Sequence, residues 1–405
     1  MLYGRVSFRG IQQVFKDCLD HDISIGNIHN ISERAKLAAL HRNANHDLSS
    51  VKLGAHDEIF HHNKPILAGV DIHSLYCYLL TEEDHRDEET WAIRLLECQD
   101  RGFNPDRVIG DDGKGMRSAH ELIMPNIPFD YDTFHLSKLM MDTRRYFRNR
   151  YKSSVTEVLD TKDKLRKMEF DDISSQCIAS LSERIEQEKA MKYLSKTIDT
   201  LVSWMQHDVL NKAGKNPIER RNLYDFIVNE FSKLGKIHPH RIDKMCFTLK
   251  SKRDLSLAFC DVLDEKFKII ASNNSCSLDI VWRMCELHRC EIGGDAYAIR
   301  SLPLYDLLGD QFDEIEDAVI IALCGTERTS SMVENLNSRL RLCFHMRREI
   351  GHDYLGLLQF FLNHKPFHRS SRTHRVGKTP AEILNGKPHP HWLEILGYSQ
   401  FKRAA

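Results

Sequence analysis

Three short apolar runs, at 51–60, 65–72 and 75–82, follow one another with only turn-like polar residues between them. They sit in the stretch VKLGAHDEIFHHNKPILAGVDIHSLYCYLLTEE. Runs of this length, bounded by turn residues, pair as an antiparallel meander, and this restricts the fold more than any other part of the chain. The pattern then changes to alternation. RDEETWAIRLLECQDRG predicts an amphipathic helix with apolar residues at 91, 93, 95 and 96 and an acidic first turn that suits the helix dipole. DRVIGDDGKGMRSAHELIM predicts a strand, a glycine-bearing turn and a helix, and NIPFDYDTFHLSKL a fifth strand running into a helix. The order βββαβαβ predicts an α/β fold: one mixed sheet with helices on its faces.

The flanks differ in texture. Residues 1–50 predict two helices around a short turn, SFRGIQQVFKDCLD and NIHNISERAKLAALHRNAN, either a helix-turn-helix for the major groove or a plain helical hairpin. Because this region begins so close to Met1, a truncated DNA-binding domain is left open. Residues 51–135 hold the strands, and 136–325 predict a helical insertion with long, charge-laced helices. Residues 326–405 open on a helix that Ser330 or Ser331 can cap and end in a polar, basic segment.

At 405 residues with net charge −1, the chain is long enough for several domains, and a nucleic-acid partner has to be met by local basic patches. Eleven scattered cysteines, an odd number without paired spacing, point to a reducing, cytoplasmic setting. MLYGRVSFRGIQQVF lacks the apolar core of a secretion signal. The longest apolar stretches, such as AVIIALC, fall well short of the roughly 18–20 residues that span a bilayer, so no membrane partner is expected.

Acidic residues mark the chemistry. Asp57 falls on the first strand, Asp71 at the end of the second, Asp111 at the end of the fourth, and Glu334 on the helix after the insertion. Phosphoryl transfer on a nucleic acid uses two divalent ions about 3.5–4 Å apart. Mg²⁺, or Mn²⁺ in its place, prefers carboxylate oxygens, so acids converging at a sheet edge suit it. GDDGKGM lacks the spacing and ending of a phosphate-binding P-loop. CELHRC groups Cys285, His288 and Cys290 without a second ligand pair at zinc-site spacing.

AHDEIF, VIGDDGKGM, YDTFHLSK and SSMVENLNSRLR, followed by FFLNHKPFHRSSRTHRVGKTPAEIL, resemble bacterial insertion-sequence transposases of the DDE superfamily. The resemblance covers about 50–135 and 325–398, and the helical segment between matches in position only. It implies a ribonuclease H-like (retroviral-integrase-like) core in which Asp57, Asp111 and Glu334 are the catalytic metal ligands, with Asp112 an alternative to Asp111. Asp71 corresponds to a noncatalytic aspartate, expected to cap a turn. Asp132 and His135 resemble a recurrent motif near the site, or else form a strand-end turn and helix cap. Water would cleave the phosphodiester at an element end, and the freed 3′-hydroxyl would attack target DNA. Double-stranded DNA and a homo-oligomer assembled on it are the implied partners, in the bacterial nucleoid. A structure-specific nuclease of the same fold, or a domesticated DNA-binding protein without catalysis, are the rivals.

Helical spacing independently sets Glu334, Ser338, Arg341 and His345 on one face, where a carboxylate and a cation would serve metal and phosphate. KLMMDTRRYFRNRYK interleaves Arg144, Arg145 and Arg148 with aromatics, and HKPFHRSSRTHRVGK carries Arg369 and Arg372. Either segment fits DNA-backbone contacts or a charged solvent face. Trp204 and Trp282 are expected in the core of the insertion rather than stacked on an unpaired base.

Overall fold

A computed structural model describes residues 2–4, 6–111, 113–169, 174–236, 238–326, 331–344, 350–370 and 372–399, with the backbone alone at 239–240 and 331–334. The chain divides into two compact units: a sheet unit, Met1–Asp132 with Thr329–Ala405, and a helical unit, Thr133–Arg328.

The sheet unit begins with α1 (Phe8–Leu19) and α2 (Ile25–Ala44), each capped by a serine, Ser7 and Ser24, whose hydroxyl accepts a backbone N–H. Both helices fall on the stretches expected for them. The inner face of α2 is taken by α14 (His352–His364), to which Asn43 donates at Gly356 O (2.8 Å) and Gln359 Oε1 (3.2 Å).

Five strands form one mixed sheet: β1 (Leu53–His61), β2 (Lys64–Asp71), β3 (Cys77–Glu82), β4 (Arg107–Gly110) and β5 (Phe129–Tyr131). Their order is β3-β2-β1-β4-β5. The first three are antiparallel neighbours, while β1 runs parallel to β4 and β4 to β5. The meander expected at 51–82 is therefore present, with its first strand central.

Every residue of β2 except Lys64 is buried, which requires cover on both faces. The two-residue period of a strand divides its side chains between two cores. Ile66, Ala68 and Val70 pack with Leu336 and Leu340 of α13 (Ser331–Phe344) and with Leu355 and Leu358 of α14. Leu67 joins the opposite core, with Trp91 and Leu95 of α3 (Glu88–Asp100) and Met116 of α4 (Lys114–Ile123). Full burial of a leucine such as Leu67 stabilises the fold by roughly 1.5–3 kcal/mol. In α3 only Trp91 and Leu95 of the four expected apolar positions face that core, while Ile93 and Leu96 are exposed. A helix lying on a sheet buries one stripe, and 93 and 96 fall outside it.

The helical unit contains α5 (Thr133–Arg166), α6 (Ser175–Trp204), α7 (Pro217–Gly235), α8 (Pro239–Ser251), α9 (Arg253–Asn273), α10 (Leu278–Leu287), α11 (Asp295–Leu308) and α12 (Phe312–Cys324). Trp282 is buried and donates to Asp264 Oδ1 (2.9 Å). Trp204 corrects its expectation: at the last turn of α6 it is 41% exposed. The chain closes in the sheet unit with α15 (Pro380–Asn385), begun by a Thr379–Glu382 capping box, and α16 (Trp392–Ile395). Among the described residues no helix is long and apolar enough to cross a membrane.

Candidate metal centre

The site begins with strand alternation. Ala55 and Ile59 face the α13/α14 core, so Asp57 between them faces the same way, while His56 faces α3. Asp57 is 4% exposed. Two neutral donors fix its carboxylate: the Glu58 amide to Oδ1 (2.8 Å) and Asn337 Nδ2 of α13 to Oδ2 (2.6 Å).

The parallel pairing of β1 and β4 sets His56 against Gly110, which puts Asp111, the next residue, beside Asp57. Each offers a carboxylate oxygen within 4.8 Å of the other. Gly110 allows close packing there: a Cβ would stand 2.6 Å from Phe129 Cζ and 2.8 Å from Met116 Sδ, so those side chains would have to shift to admit one. Beyond it the Gly113 amide donates to Asp111 Oδ1 (3.1 Å) and fixes the start of α4.

A cation tempers the acids. Glu58, its side chain 4% exposed, accepts Arg86 Nη1 at Oε2 (2.6 Å) and Trp91 Nε1 at Oε1 (3.0 Å). The Arg86 guanidinium is held above its ordinary range first by Glu58 and more weakly by Asp111, so its field reaches Asp111. Tyr131, opposite Gly110 in β5, is pushed up to about 12 by burial and then by the Asp132 and Asp111 carboxylates.

Two carboxylates this close repel unless a cation joins them, and hard oxygen donors suit Mg²⁺ or Mn²⁺. The residues present thus fit a divalent metal, with Asp57 and Asp111 to hold it.

The remaining expected residues fall as follows. Glu334 lies on the backbone of α13, but its side chain, like Asp112 and His345, is outside the described residues. Of the stripe expected through 334, 338, 341 and 345, only Ser338 and Arg341 have described side chains. Ser338 and Arg341 are exposed, and the α13 side chain that reaches Asp57 is Asn337. The apolar stripe Leu336, Leu340 and Phe344 turns that edge of the helix to the sheet, a signal available in the sequence. Asp71 caps its turn as expected, accepting the Ser74 amide (2.7 Å) and hydroxyl (2.6 Å) at Oδ2. Asp132 is buried at the end of β5, and His135 lies in the first turn of α5 in the helical unit.

Of the basic residues, Arg144 and Arg148 share Asp199 of α6, at 2.9 and 2.8 Å, and Arg145 lies 3.6 Å from Asp142. Arg369 is exposed and Arg372 partly so. Cys285 is buried, and His288 Nε2 stands 3.5 Å from Glu316. No protein-family model matches the chain, and no curated protein matches it.

Proposed function

We propose that this chain is a DDE-type transposase, cleaving DNA at element ends and joining the freed end to target DNA on a ribonuclease H-like sheet. The observation that carries the reading is the meeting of Asp57 and Asp111. One acid stands on the central strand and one just past its parallel neighbour, with their oxygens within 4.8 Å. The strand order, with three antiparallel strands and then two parallel ones, also supports it.

A divalent ion bound there would activate the attacking oxygen and offset charge on the leaving oxygen. The chain's own residues prepare that place. Asn337 and the Glu58 amide hold the Asp57 carboxylate in one orientation, and Glu334 on the same helix as Asn337 is the proposed third ligand. Arg86, fixed by buried Glu58 and 57% exposed, supplies positive potential to draw a phosphodiester in.

Nicking of labelled element-end DNA with Mg²⁺ or Mn²⁺ tests the reading. Asp57→Asn should lower the rate by about 10³-fold, equivalent to ~4 kcal/mol of barrier, without unfolding the protein. Asp71→Asn should retain most activity. The reverse order of sensitivity would overturn the assignment.

A further inference from the structure

One helix of the helical unit is left almost uncovered. α10, with 10 residues, buries Val281, Trp282, Met284, Cys285 and Leu287. α11 has 14 residues and a comparably apolar sequence, DAYAIRSLPLYDLL, yet buries only Leu304. A helix this apolar is ordinarily enclosed by its own fold. Its inner stripe is Tyr297, Ser301, Leu304 and Leu308, at the i, i+4, i+7 and i+11 positions of one face, all buried or half-buried. The opposite stripe is Asp295, Ile299, Leu302 and Asp306, at the same spacing and exposed at every position. Ile299 is 69% and Leu302 60% exposed, and Tyr305 and Leu307 are exposed on either flank.

An exposed apolar patch of this kind marks a contact surface. Charge says what the partner carries. The two apolar residues of the outer stripe stand between aspartates set roughly 16 Å apart along the helix axis. The turn after α11 and the start of α12 add Asp310, Asp313, Glu314 and Asp317, all exposed. From 292 to 317 the only basic residue is Arg300. Pro303 has no N–H to give, so the carbonyl of Ile299 lacks its ordinary helical donor and favours a partner that brings one. A nucleic-acid backbone is repelled from such a face. A second copy of the same stripe is repelled too, since an antiparallel pair would set aspartate against aspartate at both ends.

We propose that the outer face of α11 docks a basic amphipathic helix of another protein. Two bulky apolar side chains of that helix rest on Ile299 and Leu302, with a Lys or Arg beside each of Asp295 and Asp306. A contact made by a single helix falls below the roughly 1,200 Å² of a stable complex, so the association is transient. The surface owes nothing to the carboxylate pair and stands whether or not the transposase reading does.

The probe is a fluorescein-labelled, alanine-based helical peptide with Lys, Leu, Leu and Lys at i, i+4, i+7 and i+11, set against a second peptide in which both Lys are Glu. Fluorescence anisotropy follows binding to the full chain and to its Asp295→Lys/Asp306→Lys and Ile299→Ser/Leu302→Ser forms. All four positions are exposed, and circular dichroism confirms folding. Wild type should prefer the Lys peptide by about tenfold or more, a preference that shrinks with added salt. Asp295→Lys/Asp306→Lys should prefer the Glu peptide, and Ile299→Ser/Leu302→Ser should bind the Lys peptide about tenfold more weakly than wild type. A Lys-peptide affinity that is absent in wild type, or the same in wild type and both variants, overturns the proposal. Sedimentation tests the other occupant: self-association of wild type that Ile299→Ser/Leu302→Ser abolishes would give the face to a second copy and likewise overturn it.

Discussion

In the helical unit, arginines are neutralised from within. Arg220 is 1% exposed, yet its guanidinium donates to the carbonyls of Val209, Asn211, Lys212 and Lys215 and lies over the rings of Phe259 and Trp282. Arg253 pairs with Asp225, Arg221 with Asp261, and Arg144 and Arg148 with Asp199. The sheet unit does the opposite at its centre. It draws two carboxylates within 4.8 Å of one another and keeps Arg339 largely buried without an acid beside it among the described residues. A fold built only for stability avoids such arrangements, and the proposed metal centre rests on that difference.

The largest effect that would sharpen this contrast is on Arg220. Arg220→Ala leaves four carbonyls without their donor, and should cost the helical unit about 3–5 kcal/mol. Urea denaturation followed by tryptophan fluorescence and far-UV circular dichroism measures it. A loss below about 1 kcal/mol would mean that the segment at 209–215 does not depend on the guanidinium.

A smaller effect separates the two faces of β1. His56, beside Asp57, is fully buried among Tyr78, Trp91 and Phe103, and burial pushes it down to about 3 from an ordinary 6.5. Below pH 6.5 the unfolded chain takes up a proton that the native state refuses. The stability this imidazole contributes is therefore complete above 6.5 and lost as pH falls toward 3. Between pH 6.5 and 5 the loss should be about 2 kcal/mol, and His56→Phe should flatten that part of the profile. An equally steep profile in the variant would assign the acid sensitivity to other groups.

Much of the sheet was legible because strands and their order follow from local signals. The apolar runs announced the meander, and a central first strand beside the fourth brought Asp57 to Asp111. The turn-capping role of Asp71 could be read from the same arrangement. What was not read from the sequence was the role of Asn337 on α13. Ser338 and Arg341 carried the more suggestive chemistry, but Leu336, Leu340 and Phe344 set which edge meets the sheet, and that edge presents Asn337. Arg220 gave no local signal either, since its acceptors come from a segment that follows a π-helical turn at Met205–Val209. Trp204 was assigned to the core on residue type alone, and its position at the end of α6 leaves it exposed.

The most direct test of the central claim is thermal unfolding of wild type and Asp111→Asn, each with and without MnCl₂. Without metal, Asp111→Asn should be the more stable by about 1 kcal/mol, because it removes a like-charge contact. Added Mn²⁺ should stabilise wild type by roughly 2.7 kcal/mol at a hundredfold excess over its dissociation constant, and Asp111→Asn little. An Asp111→Asn protein that is less stable without metal, or that gains as much from Mn²⁺ as wild type, would contradict a metal centre at Asp57 and Asp111.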